Sequence, residues 1–326
     1  MMRIILFYLY FLPVFSLAET PVLTIYAPDY FVSEWGPGPK IEQEFEKKCN
    51  CDLKFIPGEP LSRVMLEGKS TNADILLGLS YDNILKARQL NVLGNLDFEY
   101  ELPELPINWE DNTFLPFDWS YLSFIYDNTK IDNPPKSFIE LANDPRDYKI
   151  IIQDPRTSPS GLALILWIKS VYGNDAFEIW SKLSSKILTV TKGWSESYGL
   201  FTSGEAEMVL SFITSQAYHE IAENDITKTA LIMDEGHYVY VELAAKVDKS
   251  DNEDLSNEFM KFILTKEFQN IIPLNNWSFP VKLPKENWPI EFQNLPKPRN
   301  SIYLDEKKSS EIKSTAIEEW LEAMSK

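Results

Sequence analysis

The sequence predicts an α/β protein of two similar lobes joined by two long strands, with a ligand cleft between the lobes. Three observations carry this. Short β-branched runs alternate with helical segments in two separate series, the pattern of parallel sheets with right-handed crossovers. Two longer apolar strands, Phe117 to Tyr126 and His237 to Leu243, each stand where one series gives way to the next. At 326 residues, 44% hydrophobic and 13% aromatic, the chain has material for two cores.

Taken in order, the chain opens with Met1-Met2-Arg3, the apolar run Ile4 to Phe15 and the small-residue end Ser16-Leu17-Ala18, which read as a signal peptide (1–18) cleaved before Glu19. The run is shorter than the roughly 20 residues of a spanning helix. No cysteine stands at the cleavage point to carry a lipid, so an exported, periplasmic chain is expected. Val22 to Tyr26 is a strand, and Trp35-Gly36-Pro37-Gly38-Pro39 is a rigid turn opening a helix that runs to Lys48. Leu53 to Ile56 is a second strand, Ser62 caps a short helix ending at Gly68, and Asp74 to Leu79 is a third strand. Residues 91–116 are acidic, proline-bearing and irregular. Beyond the first crossover strand come strand 149–152, helices 161–172 and 175–183, strands 187–191 and 208–212, and helix 215–222. Leu255, Phe259, Phe262 and Ile263 share one helix face, and Ile317, Trp320 and Leu321 another. The expected division is a discontinuous first lobe (19–118 and 243–305), a second lobe (119–242) and a C-terminal helix (306–326).

The formal charge of −18 repels polyanions and argues against nucleic acid as a partner; it mildly favours a cationic ligand, though solubility alone explains an acidic surface. Cys49 and Cys51 are expected to close a small disulfide after export, the alternative being free thiols at a helix-to-strand turn. They are too few to hold a metal, and His219 and His237 show no metal spacing to them, so no metal is expected.

Three constellations point to a cleft. Ser158 as N-cap with Pro159 behind it would aim a helix N-terminus at an anionic group, or would simply cap the helix. Phe212-Ile213-Thr214-Ser215 ends a strand and offers hydroxyls, with Tyr218 in the next turn, where a tyrosine is more often core. Trp35, Trp194 and Trp277 stand in turns beside glycine, asparagine or serine, whereas Trp167, Trp180 and Trp320 fall on helix faces and read as core. Trp194 follows the strand 187–191, with Ser195 read as the cap of the next helix. A flat cation against such indoles gains about 0.5–2 kcal/mol per contact. Catalytic signatures fail: Gly193-Trp194-Ser195-Glu196-Ser197 lacks the final glycine of a nucleophile elbow, and there is no Walker loop and no H-E-x-x-H. No catalytic residue is assigned.

Several uncommon words occur in a familiar order: Trp35 to Pro39, Cys49-Asn50-Cys51, Asn112-Thr113-Phe114 with Pro116-Phe117-Asp118, Gln153 to Ser158, Thr191 to Ser195 with Tyr198 to Phe201, Glu235 to Tyr238, and Asn276-Trp277. In these the chain resembles the periplasmic thiamine-binding proteins of bacterial ABC importers over nearly its whole mature length. The resemblance implies a type II periplasmic-binding-protein fold of the class that also holds ferric and polyamine receptors. It implies capture of thiamine or its mono- and diphosphate, a membrane permease as partner, a monomer, and no cofactor. It implies Trp35, Trp194, Tyr218 and Trp277 as aromatic walls, with Ser158, Thr214 and Ser215 at the hydroxyethyl or phosphate end. Phe212 stands where the family commonly has tyrosine. Tyr26-Ala27-Pro28-Asp29 replaces a Tyr-x-Tyr-Asp pattern, and Pro57-Gly58-Glu59-Pro60 replaces a loop bearing Glu-Asp-Gly, leaving Glu59 or Asp82 to supply a carboxylate. The alternatives are a receptor for polyamines or other organic cations and, from another class, an exported hydrolase.

Overall fold

Residues 20–248 and 250–325 are described by the structure, a computed structural model. The signal peptide read over 1–18 lies outside the described residues. The strands are β1 (Val22–Ala27), β2 (Asp52–Pro57), β3 (Ile75–Ser80), β4 (Leu115–Asp127), β5 (Ile150–Gln153), β6 (Ile187–Thr191), β7 (Met208–Phe212), β8 (Lys228–Ala230), β9 (His237–Lys246), β10 (Phe279–Pro280) and β11 (Ser301–Ile302). They hydrogen-bond in the order β2-β1-β3-β9-β4-β7-β5-β6, with β8 and β10 on β4 and β11 on β9.

Apart from the two-residue β11 beside β9, parallel pairing occurs in two separate sets, β2-β1-β3 and β6-β5-β7, as the alternating strands and helices require. The two crossover strands join them. Leu115 to Tyr121 of β4 pair antiparallel with β9, and from Leu122 onward the same strand pairs antiparallel with β7. One continuous strand thus serves both lobes, and the change of partner falls between Tyr121 and Leu122.

Each lobe has its own apolar core. In the first, Ile41 and Phe45 lie four apart on the helix Gly38–Cys49, and Phe45 meets Phe259 edge-on at 5.0 Å. That helix ends in Asn50 at φ 47°, a left-handed position that asparagine tolerates, and Cys49 and Cys51 on either side are joined in the expected disulfide. In the second, Phe138, Trp167 and Trp180 are buried together with Trp320 of the C-terminal helix Glu306–Met324. The first turns of that helix reach the other lobe, where Ser309 Oγ donates to Asp82 Oδ1 at 3.2 Å and Lys313 Nζ to Asn83 Oδ1 at 2.9 Å.

Two helix expectations need correction. The helix Pro60–Glu67 starts at Pro60 with Glu59 before it, because the fixed φ of proline opens the turn two residues ahead of Ser62. The helix Ser215–Tyr218 passes into a π-helical turn, His219–Glu223, in place of a regular helix to 222. The helix Phe138–Asn143, capped by Ser137 Oγ on the Glu140 N–H at 3.0 Å, has too few residues to show a period in the sequence. Among the described residues no helix is long and apolar enough to cross a membrane.

Candidate functional site

β5, β6 and β7 run parallel, so the loops that follow them share one edge of the second lobe. After β5 the helix Pro159–Tyr172 begins against the strand end. A Cβ on Gly161 would lie 2.4 Å from the Gln153 carbonyl oxygen, so only glycine lets the helix start this close. Ser158 holds the N-cap position, but its hydroxyl does not cap. It bonds to Ser160 Oγ at 3.0 Å; Ser160 donates to Gln153 Oε1 at 2.9 Å, and Gln153 Nε2 donates to Ser197 Oγ at 2.5 Å. These buried hydroxyls and the amide form one polar chain between the loops after β5 and β6.

After β6, Gly193 is the N-cap and Trp194 the first helical residue, which corrects the reading of Ser195 as the cap. The extended Gly193, at φ −150°, starts the helix early, and Thr191 Oγ1 closes the turn on the Gly193 carbonyl at 2.9 Å. The shift has a consequence for the site. With Trp194 inside the helix, Tyr198 lies one turn on and stacks against it, centroids 4.6 Å apart and planes 20° apart. Trp194 Nε1 donates to Ser211 Oγ at 2.8 Å, and Ser211 bonds to Ser215 Oγ at 2.8 Å. Behind the stack, the Tyr198 hydroxyl meets His219 Nε2 at 2.9 Å.

After β7, Thr214 Oγ1 lies 3.1 Å from Ser120 Oγ of β4, and the Phe212 ring lies 5.0 Å from Tyr240 of β9. The Tyr218 ring is 6.4 Å from Tyr198 and meets Trp277 edge-on at 5.0 Å. Trp277 is a left-handed residue at φ 53°, between the helix Ile272–Asn275 and β10. β10 pairs with Trp119 and Asp118, in the first-lobe half of β4, so the contact between Tyr218 and Trp277 crosses from one lobe to the other.

Of the residues singled out in the sequence, Trp194, Phe212, Thr214, Ser215, Tyr218 and Trp277 gather around the ends of β6 and β7, and Ser158 stands at the end of β5. Trp35 is apart from them: it is 56% exposed and makes no ring contact with Trp194, Tyr218 or Trp277. Glu59 lies on the exposed loop after β2, with Asp29 and Lys192 as its charged neighbours. Asp82 is committed elsewhere, accepting from Tyr238 at 2.6 Å and from Ser309.

Several side chains of the site escaped the sequence reading. Tyr198 was detectable from its spacing of four from Trp194 once the helix start was right. Asp118 and Glu242 each interrupt a crossover strand that is otherwise mostly apolar or aromatic, a pattern that marks a buried polar group. They stand opposite each other in the register of β4 and β9 and are 0% and 5% exposed. Burial pushes both carboxyls up, Asp118 further through the charge of Glu242. Asn276, next to Trp277, donates to Asp118 Oδ2 at 2.5 Å and to Glu242 Oε2 at 2.9 Å, and the Tyr30 hydroxyl donates to Glu242 Oε1.

The family model described as bacterial extracellular solute-binding protein matches residues 70–307. This chain belongs to that family. The thiamine-binding periplasmic protein of Salmonella typhimurium strain LT2 is 42% identical to this solute-binding protein over 310 residues, covering 94% of each chain. A solved structure of a periplasmic thiamin-binding protein superposes with a TM-score of 0.90 at 40% identity, covering 94% of this chain and 97% of the other. Iron-bound HitA from Pseudomonas aeruginosa shares the fold, with a TM-score of 0.73 at 18% identity and coverage of 93% and 99%. The resemblance read from the motifs is therefore borne out, and the solute-binding protein has the two-lobed type II fold expected of it. These relatives are named for what they bind, not for a reaction.

Proposed function

We propose that this protein captures thiamine or its mono- or diphosphate in the periplasm and delivers it to the permease of an ABC importer without changing it. The observation that carries the reading is the meeting of Trp194, Tyr198, Tyr218 and Trp277 across the lobes, in a chain about 40% identical to thiamine-binding periplasmic proteins. Thiamine is a cation with two flat aromatic rings. Aromatic faces and edges suit both rings, and each cation–ring contact is worth about 0.5–2 kcal/mol. Ser158 at a helix N-terminus, with Thr214 and Ser215, suits the hydroxyethyl group or a phosphate on it. The chain acts as a monomer and carries no cofactor in this reading.

Calorimetric titration of the chain starting at Glu19 tests it. Heat of binding with thiamine or a phosphate ester, and intact ligand recovered afterwards, is the expected result. Heat with spermidine alone would turn the reading to a polyamine receptor, and recovery of hydrolysed thiamine would turn it to an enzyme.

A further inference from the structure

Asp118 and Glu242 are two buried carboxyls opposite each other on β4 and β9, beside the loop that carries Trp277, and among the described residues no cationic side chain pairs with either. The groups that act on them come from every neighbouring segment: the Tyr30 hydroxyl after β1, Tyr240 on β9 and the Asn276 amide before Trp277 at close range, and Glu59 of the exposed loop after β2 through its charge alone. Two of these are phenols, one is an amide, and the remaining one is a third carboxylate. Asp118 Oδ1 is buried and has no partner among the described residues. Two ionised carboxylates cannot stay together here without a cation; one proton between them relieves the repulsion and gives the orphaned oxygen a bond.

We propose that Asp118 and Glu242 are a positioning pair for ligand capture: sharing one proton, they clamp Asn276 between them and so hold Trp277 in its left-handed conformation at the interlobe contact. The amide of Asn276 reaches both carboxyls, one from each crossover strand. A bulky residue at positive φ costs about 1–3 kcal/mol unless its surroundings fix it, and the clamp on the preceding residue is what fixes this one. Tyr30 occupies the other Glu242 oxygen, which leaves that carboxylate no freedom to turn away.

Burial and mutual repulsion make the folded pair keep a proton that each carboxyl of an unfolded chain releases near its ordinary value. As pH rises above the ordinary carboxylate range the unfolded chain binds fewer protons than the folded one, so the clamp weakens as the shared proton is lost. An amide in place of one carboxyl mimics the protonated partner at all pH values.

The proposal rests on the thiamine reading for its binding arm but not for its ligand-free arm. In protein labelled with 5-fluorotryptophan, the Trp277 fluorine resonance, assigned through Trp277→Phe, should move as pH rises from 5.5 to 8.5 in the ligand-free chain. It should stay fixed over that range in Asp118→Asn. Asp118→Ala and Asn276→Ala should shift it at constant pH and weaken thiamine binding about tenfold, while Asp118→Asn stays within about threefold of the parent chain. A Trp277 resonance that ignores both pH and Asn276→Ala overturns the proposal, as does Asp118→Asn losing as much affinity as Asp118→Ala. Should the alanine variants fail to fold, the pH titration of the parent chain and Asp118→Asn decides it. Absence of thiamine binding by the parent chain would instead sink the thiamine reading, with the resonance still reporting on the clamp.

Discussion

Trp194 is held from three sides: by its place at the start of a helix, by the Tyr198 ring on its face, and by Ser211 on its indole N–H. The roles of these partners are separable. Trp194→Ala removes a wall of the site and should weaken thiamine binding about ten- to a hundredfold, since truncating a central aromatic at an interface costs about 2 kcal/mol or more. Tyr198→Phe keeps the stacked ring but leaves His219 Nε2 without its partner, so it should lower folding stability by about 1–3 kcal/mol with little change in thiamine affinity. Calorimetry and denaturant unfolding on the two variants distinguish these outcomes. Equal affinity in Trp194→Ala would remove that residue from the site.

Among the elements, the crossover strands carry the most information, since each pairs with strands of both lobes or links them. His237 opens β9 at the point where β4 changes partners, with Nδ1 on the Leu122 carbonyl at 2.8 Å and Nε2 accepting from the Met233 N–H at 2.9 Å. The ring is fully buried, and that burial depresses its pKa to about 4 against the opposing effect of the Leu122 bond. An unfolded chain takes up a proton near pH 6.5 where the folded one does not, so stability is lost as pH falls from about 6.5 to about 4. Denaturant titrations between pH 7 and 4 should show this loss, and His237→Gln should flatten it; an unchanged slope in His237→Gln would assign the loss to other groups. The crossover role of both strands was legible because each is an apolar run standing between two alternating series. The parallel strands and the core tryptophans were legible for the same kind of reason, a period or a face repeated in the chain. The start of the Trp194 helix was not: glycine and serine both serve as N-caps, and only the closure of Thr191 on Gly193 decides between them. Nor was the pair of Asp118 and Glu242, which are 124 positions apart and meet only through the β4 and β9 register. Trp35 differs again: a turn tryptophan beside glycine looks the same in sequence whether or not its ring meets the others, and here it stands exposed and apart from them.

For the whole molecule, the cluster is where the two lobes meet through aromatic side chains, and the proposed function places the ligand there. Tyr218 comes from the second lobe, Trp277 hangs from the first, and their rings already touch. On the proposed reading a solute enters between them as the lobes part; the C-terminal helix bonds to the first lobe through Asp82 and Asn83 and packs in the second-lobe core. The structure has other openings, such as the cavity of about 640 Å³ lined by Thr24, Asp74, Asn91 and Asp248 on the far edge of the first lobe. The most direct test of the account is therefore a crystal structure of the protein grown with saturating thiamine. The two rings of the ligand are expected among Trp194, Tyr218 and Trp277, with the hydroxyethyl arm toward Ser158, Thr214 and Ser215. Thiamine seated in the far-edge cavity, or a cluster still closed on itself in the presence of thiamine, would contradict it.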